Sequence, residues 1–179
     1  RVLLQISYSK GDHLVGRENV KTLDDLFKLG HKPKICAQQG GPHVTLIDQA
    51  IRNAGKTWND VEMVWVPELI GEKGPATKFR NDPSIDAVCV ITAPDGMLAL
   101  TGGLDVKGTG AEGTVKGSQV IVSTANFDRV IADVIAVRED FYQKHRDKKK
   151  CHRVYKRTYK LLFRGKNNNG RCCRLLHEF

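Results

Sequence analysis

The amino-acid sequence predicts an α/β fold: a largely parallel sheet with flanking helices. Two segments share one design, a short buried strand that stops at a turn and enters a helix directly. The first is Lys34–Gln38, then Gln39-Gly40-Gly41-Pro42, then a helix from His43 to Ala54. The second is Ile85–Ile91, then Thr92-Ala93-Pro94-Asp95, then a helix from Met97 to Leu100. Strand and helix alternate up to Leu100 at the spacing of parallel βαβ units. The strands are apolar runs without strict alternation, which fits strands covered on both faces.

Each element has a local reason. Val2–Tyr8 already reads as a strand, so the chain is expected to be a fragment that opens inside its fold. Asp12–Gly16 reads as a second extended segment. Thr22-Leu23-Asp24-Asp25 is a capping pattern that should start a short helix. Pro33 closes that connection. After Pro42, residues Val44, Leu46, Ile47, Ala50, Ile51 and Ala54 recur at helical spacing, and Gly55 supplies the stop. Trp58–Val61 leads into a strand at Glu62–Val66, and a helix turn is expected over Ala76–Arg80. The glycine-rich stretch Thr101–Gly117 precedes a strand at Gln119–Ser123, a β-branched run at Val130–Val137 and a polar helix over Glu139–Lys148.

At 179 residues, with 40% hydrophobic residues, the chain suits one domain, or one large lobe plus part of another. No apolar run approaches the length of a membrane-spanning helix. The formal charge of +9 would suggest nucleic acid, but its distribution argues against that. Residues 1–145 carry 17 Lys and Arg against 18 Asp and Glu, whereas residues 146–179 carry 12 against 2. The sequence therefore divides into an α/β domain over 1–148 and a basic, poorly packed tail over 149–179. The tail has neither helical nor strand period, and a one-base frame slip at Lys148-Lys149-Lys150 would account for its abrupt onset. Self-repelling charge with little apolar area does not offset the entropy of ordering. Deleting 149–179 is expected to leave the melting temperature nearly unchanged; a drop of many degrees would show that the tail packs.

Most motifs have an ordinary explanation. Cys36 and Cys89 sit singly in apolar strands and behave as small hydrophobes. Cys151, His152, Cys172, Cys173 and His177 are metal-ligand types, but their spacing is not that of a zinc site. Tyr155, Tyr159 and Phe163 within the basic tail could stack on bases, a reading the same abrupt onset weakens. Gly108-Thr109-Gly110-Ala111-Glu112-Gly113 matches G-x-G-x-x-G but leads into a strand, so the helix a dinucleotide site needs is missing. A flexible, irregular loop beside a ligand cleft is expected there. Asp12-His13 could suggest acid–base work, but no partnered nucleophile is visible.

The two strand-to-helix turns are the better site. In open α/β sheets, ligands gather where strands end and helices begin, because free backbone N–H groups point there. The expected ligand-binding residues are Gly40, Gly41, Pro42 and His43 from one turn, and Thr92, Pro94 and Asp95 from the other. His43 could add a hydrogen bond or a charge. Asp95 could cap its helix, the default, or hold an amine on the ligand. No catalytic residue, metal or cofactor is expected.

Residues 11–148 resemble the substrate-binding proteins of ABC importers for nitrate, sulfonate, taurine and thiamine-precursor ligands, which have a type II periplasmic-binding fold of two α/β lobes. The resemblance lies in Gly11-Asp12-His13-Leu14-Val15, in Leu23-Asp24-Asp25-Leu26, in Phe79-Arg80-Asn81-Asp82-Pro83-Ser84-Ile85-Asp86-Ala87, and in Val137-Arg138-Glu139-Asp140-Phe141-Tyr142-Gln143-Lys144-His145. Phe27-Lys28-Leu29-Gly30-His31-Lys32 departs from the Lys-Gly turn usual at that point. The resemblance implies one lobe, plus part of a second, of a truncated solute receptor. It implies a small polar or anionic ligand in an interlobe cleft, a membrane permease as partner of the intact parent, and a monomer that does not bind nucleic acid. It also implies a periplasmic or extracytoplasmic location, although no export signal is visible in this chain. Two alternatives share the fold: an enzyme resembling a thiamine-pyrimidine synthase, which would need reactive His or Cys in the cleft, and a ligand-sensing effector domain of a transcription regulator.

Overall fold

The computed structural model describes residues 1–126 and 129–144, which fall into two compact units. The larger is Ser9–Ile131; the smaller combines Arg1–Tyr8 with residues from Ala132 on. In the smaller unit β1 (Val2–Tyr8) pairs antiparallel with a strand at Ala132–Ala136, in a register running from Val2↔Ala136 to Tyr8↔Ala132 with two irregularities. A helix at Glu139–Lys144 follows, held by Arg1, whose guanidinium lies 5.0 Å from the Tyr142 ring centre. The tail and its cysteines lie outside the described residues.

The larger unit contains a five-stranded sheet. In chain order its strands are β2 (Asp12–Gly16), β3 (Lys34–Gln38), β4 (Glu62–Val66), β5 (Ala87–Ile91) and β6 (Gln119–Ser123). Their spatial order is β4-β3-β5-β2-β6. β3 pairs parallel with β4 and β5, whereas β2 runs antiparallel to both β5 and β6. The sheet is thus largely parallel, as expected, with β2 as its one reversed strand. That reversal matters, because Asp12, at the start of β2, lies opposite Ile91 at the end of β5.

Helices cover both faces. α1 (Leu23–Leu26) starts from the Thr22–Asp25 capping box in full, with both reciprocal bonds formed. α2 (His43–Asn53) ends where the sequence indicates, with Gly55 at φ 67. α3 (Pro75–Asn81) and α4 (Met97–Thr101) lie against the other side. The pleat sorts the strand residues. Leu14, Ile35, Ala37, Ala87 and Cys89 join Leu26, Leu46, Ile47 and Ile51 in one core. Val15, Cys36, Val88 and Val90 join Ala76, Phe79, Met97 and Leu100 in the other. Two buried faces are the physical reason the strands read as continuous apolar runs. Burial also raises the Cys36 thiol to about 12 and pushes the Cys89 thiol up further, so both are inert hydrophobes.

The glycine-rich stretch corrects one expectation. It is irregular, as predicted, but it is not a loose loop beside the ligand edge. Gly108 and Gly117 bond to Ser118 O and Gly108 O, and Val115 bonds to Leu100 O. These anchors adjoin the start of β6, which pairs with Gly16 at the opposite edge of the sheet from Asp12. The glycine at 108 is required by packing: a Cβ there would lie 2.1 Å from Val115 O and 2.6 Å from Leu100 O. Gly108→Ala is therefore expected to destabilise the chain by roughly 2 kcal/mol or more, as overpacking against fixed backbone does. A thermal melt matching the parent would refute that role.

Candidate functional site

Because β3 and β5 run parallel and β2 runs against them, the ends of β3 and β5 and the start of β2 meet at one edge of the sheet. β6 ends there too, with Ser123 opposite His13. Both predicted turns leave from this edge. Around the first, Gln39 N–H bonds to Val66 O at 2.9 Å, Gly41 N–H to Gln38 O at 3.4 Å, and Val44 N–H to Gly41 O at 3.3 Å. Gly40 has φ 66, a left-handed conformation that glycine adopts without strain. Gly40 and Pro42 are exposed and Gly41 is half-buried. Around the second, Thr92, Pro94 and Asp95 are all exposed.

Two expectations about side chains are corrected. Asp95 does not cap α4: Gly96 holds the cap position and receives no side-chain bond. A Cβ at residue 96 would lie 2.2 Å from Ile91 O, so close packing decides that residue. The His43 side chain is fully buried and so does not reach solvent. Its Nε2 lies 3.0 Å from Asp12 Oδ1, and Nδ1 is buried without a partner.

Behind the turns lies a buried polar network. Asp12, His13, Ser123 and Thr124 are each no more than 3% exposed. Asp12 Oδ2 accepts from the Ser9 hydroxyl, and the Asp12 backbone is tied to Thr124, whose N–H bonds to Asp12 O at 2.9 Å. His13 Nδ1 lies 3.0 Å from Ser123 Oγ, and Nε2 lies 2.7 Å from Thr92 Oγ1. Burial works to raise the Asp12 carboxyl, but the hydrogen bonds from His43 and Ser9 outweigh it, with the two imidazoles adding to them, and it titrates below its ordinary value. Burial lowers the His13 imidazole, against the pull of Asp12.

Of this network the sequence singled out Asp12, His13, His43 and Thr92, but not their pairings, nor Ser9, Ser123 and Thr124. The available signal was two polar residues opening an apolar strand at Asp12-His13 and two more closing one at Ser123-Thr124. The Ser9 hydroxyl is bonded to a carboxylate, and the two hydroxyls beside the His13 imidazole are those of Ser123, which is buried, and Thr92. A hollow of about 300 Å³ lined by Phe27, His31, Lys32, Lys56 and Asp60 opens at the other edge, where β3 and β4 begin.

The mixed sheet with helices on both faces is the fold of the periplasmic substrate-binding proteins of ABC transporters, in agreement with the family resemblance. The sulfonate-binding protein SsuA of Methylobacillus flagellatus KT superposes with a TM-score of 0.55 at 18% identity, over 89% of this chain and 46% of its own. The alkanesulfonate-binding SsuA of Xanthomonas axonopodis pv. citri, bound to MOPS, gives 0.57 at 11% identity over 89% and 48%. The aliphatic sulphonate-binding SsuA of Escherichia coli gives 0.53 at 15% identity over 91% and 50%. The chain spans about half the length of these structures. By sequence alone it matches no family model and no curated protein.

Proposed function

We propose that this chain contributes one side of a solute-binding site in an extracytoplasmic receptor that delivers a small polar or anionic molecule to an ABC-transporter permease. The observation that carries the reading is the convergence of Gly40, Gly41, Pro42, Thr92, Pro94 and Asp95 on one sheet edge, in a fold shared with solute receptors. His43 acts from behind, by holding Asp12. The enzymatic alternative is disfavoured by burial at this edge: both described cysteines are buried, and His13 and His43 are each no more than 2% exposed. The basic tail over 149–179 is proposed to lie outside the folded domain. An affinity set by one lobe is modest, because tight binding comes from closing two around the solute.

A thermal-shift series on the full chain tests this, with simple sulfonates, carboxylates, nitrate and amino acids at millimolar concentration. Solute at 100 times its Kd stabilises by about 2.7 kcal/mol, a shift of roughly 2–4 °C per kcal/mol for a chain of this size. Gly40→Val or Pro94→Asp should reduce the shift produced by the bound solute. Shifts from no member of the panel, or shifts that both variants leave intact, would sink the proposal.

A further inference from the structure

The hydrogen bonds around His13 admit one arrangement of protons. Ala125 N–H donates to Ser123 Oγ at 3.0 Å, and His13 Nδ1 lies 3.0 Å from that same oxygen. At the other end of the ring, Nε2 lies 2.7 Å from Thr92 Oγ1, and the Thr92 hydroxyl donates to Gly11 O at 3.2 Å. A hydroxyl has only one proton to give. With the Thr92 proton on Gly11 O, the hydrogen joining His13 to Thr92 must sit on Nε2. Nδ1 is then bare and accepts the Ser123 proton, while Ser123 Oγ accepts from Ala125. Every donor is satisfied. The reverse tautomer would put two N–H groups on Ser123 Oγ and leave its own buried proton with no acceptor among the described residues, at the cost of an unsatisfied buried donor.

Thr92 is therefore held as an acceptor, with one lone pair of Oγ1 still unused. The residue is exposed, and Gly11 keeps the space beside it open, because a Cβ there would approach Oγ1 to 3.2 Å. The neighbouring charge has the matching sign. His43 Nε2 carries the hydrogen given to Asp12 Oδ1, and its buried, unpartnered Nδ1 is the bare nitrogen, since a proton there would be an orphaned donor. The Asp12 carboxylate is hydrogen-bonded but not cancelled, and Asp95 adds a second carboxylate on the same turn as Thr92.

We infer that this edge of the sheet takes a protonated amine of the solute, with Thr92 Oγ1 as the fixed acceptor, His13 as the residue that fixes it, and Asp12 and Asp95 as the source of negative potential. The inference rests on the reading that the solute sits at this edge, and it narrows the solute to one bearing an amine.

Two measurements on the full chain test it. Nitrogen-15 NMR of the His13 ring should show hydrogen on Nε2 and a bare Nδ1; hydrogen on Nδ1 would overturn the acceptor assignment whether or not any solute binds. Calorimetry should then compare pairs that differ only in the amine, taurine against ethanesulfonate and β-alanine against propionate. The amine-bearing member is expected to bind about tenfold or more tightly, the scale of one hydrogen bond to a charged group. Thr92→Val should abolish that preference and Thr92→Ser retain it. Equal binding within each pair would overturn the amine inference while leaving the solute-binding reading intact. A chain that responds to none of these solutes, nor to any in the thermal-shift series, would overturn both.

Discussion

Replacing Arg17 with methionine is expected to lower folding stability by about 3 kcal/mol, seen as a fall in the urea midpoint. Arg17 follows β2 and spends its guanidinium on three backbone carbonyls. Nε donates to Ile85 O at 2.6 Å, and one terminal nitrogen donates to Phe79 O at 2.6 Å and Asp82 O at 2.8 Å. The last carbonyls of α3 have no partner within their own helix, so these bonds close the end of α3 and the chain leading into β5. The guanidinium also lies 4.1 Å from the centre of the buried Phe79 ring, a cation–π contact. Methionine replaces the stem but none of the donors. Burial lowers the guanidinium's proton affinity, against the pull of Asp86 and Asp82, yet arginine remains charged throughout the accessible range. Arg17→Lys restores charge without the planar fork and should recover only part of the loss. An unchanged midpoint for Arg17→Met would show that water replaces these bonds without cost.

The second large effect is at His43. His43→Phe preserves most of the packing at this fully buried position but removes the donor to Asp12 Oδ1, leaving Ser9 as the remaining side-chain donor. A buried carboxylate deprived of a partner loses on the order of 2–3 kcal/mol at neutral pH. The pH dependence gives a sharper test. Asp12 titrates below its ordinary 3.8 in the folded chain, so its stabilising contribution is complete above that value and disappears as pH falls through the folded one. His13 titrates below its ordinary 6.5, and the same sign applies: the unfolded chain binds more protons, so stability falls as pH drops below 6.5. The parent should therefore weaken in two stages on acidification. His13→Gln should remove the first. His43→Phe leaves the desolvation of Asp12 less opposed and should move the second to higher pH. Identical stability–pH curves for parent and both variants would refute these assignments.

Much of the fold was legible because its signals are local. Thr22 and Asp25 are three residues apart and cap one turn of helix; Gly55 stops α2 one residue beyond its cap; the apolar runs at Ile35–Ala37 and Ala87–Val90 report burial on both faces. β3, β4 and β6 match their sequence bounds, and β5 starts two residues later than expected, at Ala87, because Ile85 joins the core without entering the ladder. The placement of both turns on one sheet edge was also legible, since parallel strands joined by helices must all end at the same side.

What escaped the sequence depends on pairing between distant residues. Nothing local to Asp12–Gly16 says that β2 runs against its neighbours, yet only that direction places Asp12 beside Ile91 and His13 beside Ser123, 110 residues away. Once β2 is reversed, two polar side chains at its start are buried among the ends of strands running the other way, and each must find a partner there. Gly108 was misplaced for a related reason: it is required by the approach of the Leu100 and Val115 carbonyls, which only the folded chain brings against it. The sequence by itself determined the elements, their two-sided burial and the edge where the turns emerge, because helix caps and hydrophobic period act over a few residues. Only the tertiary structure decided that His43 points inward to Asp12 and that Thr92 lies against the His13 ring, because hydrogen-bond partners are chosen by proximity in space and sequence distance carries no trace of that choice.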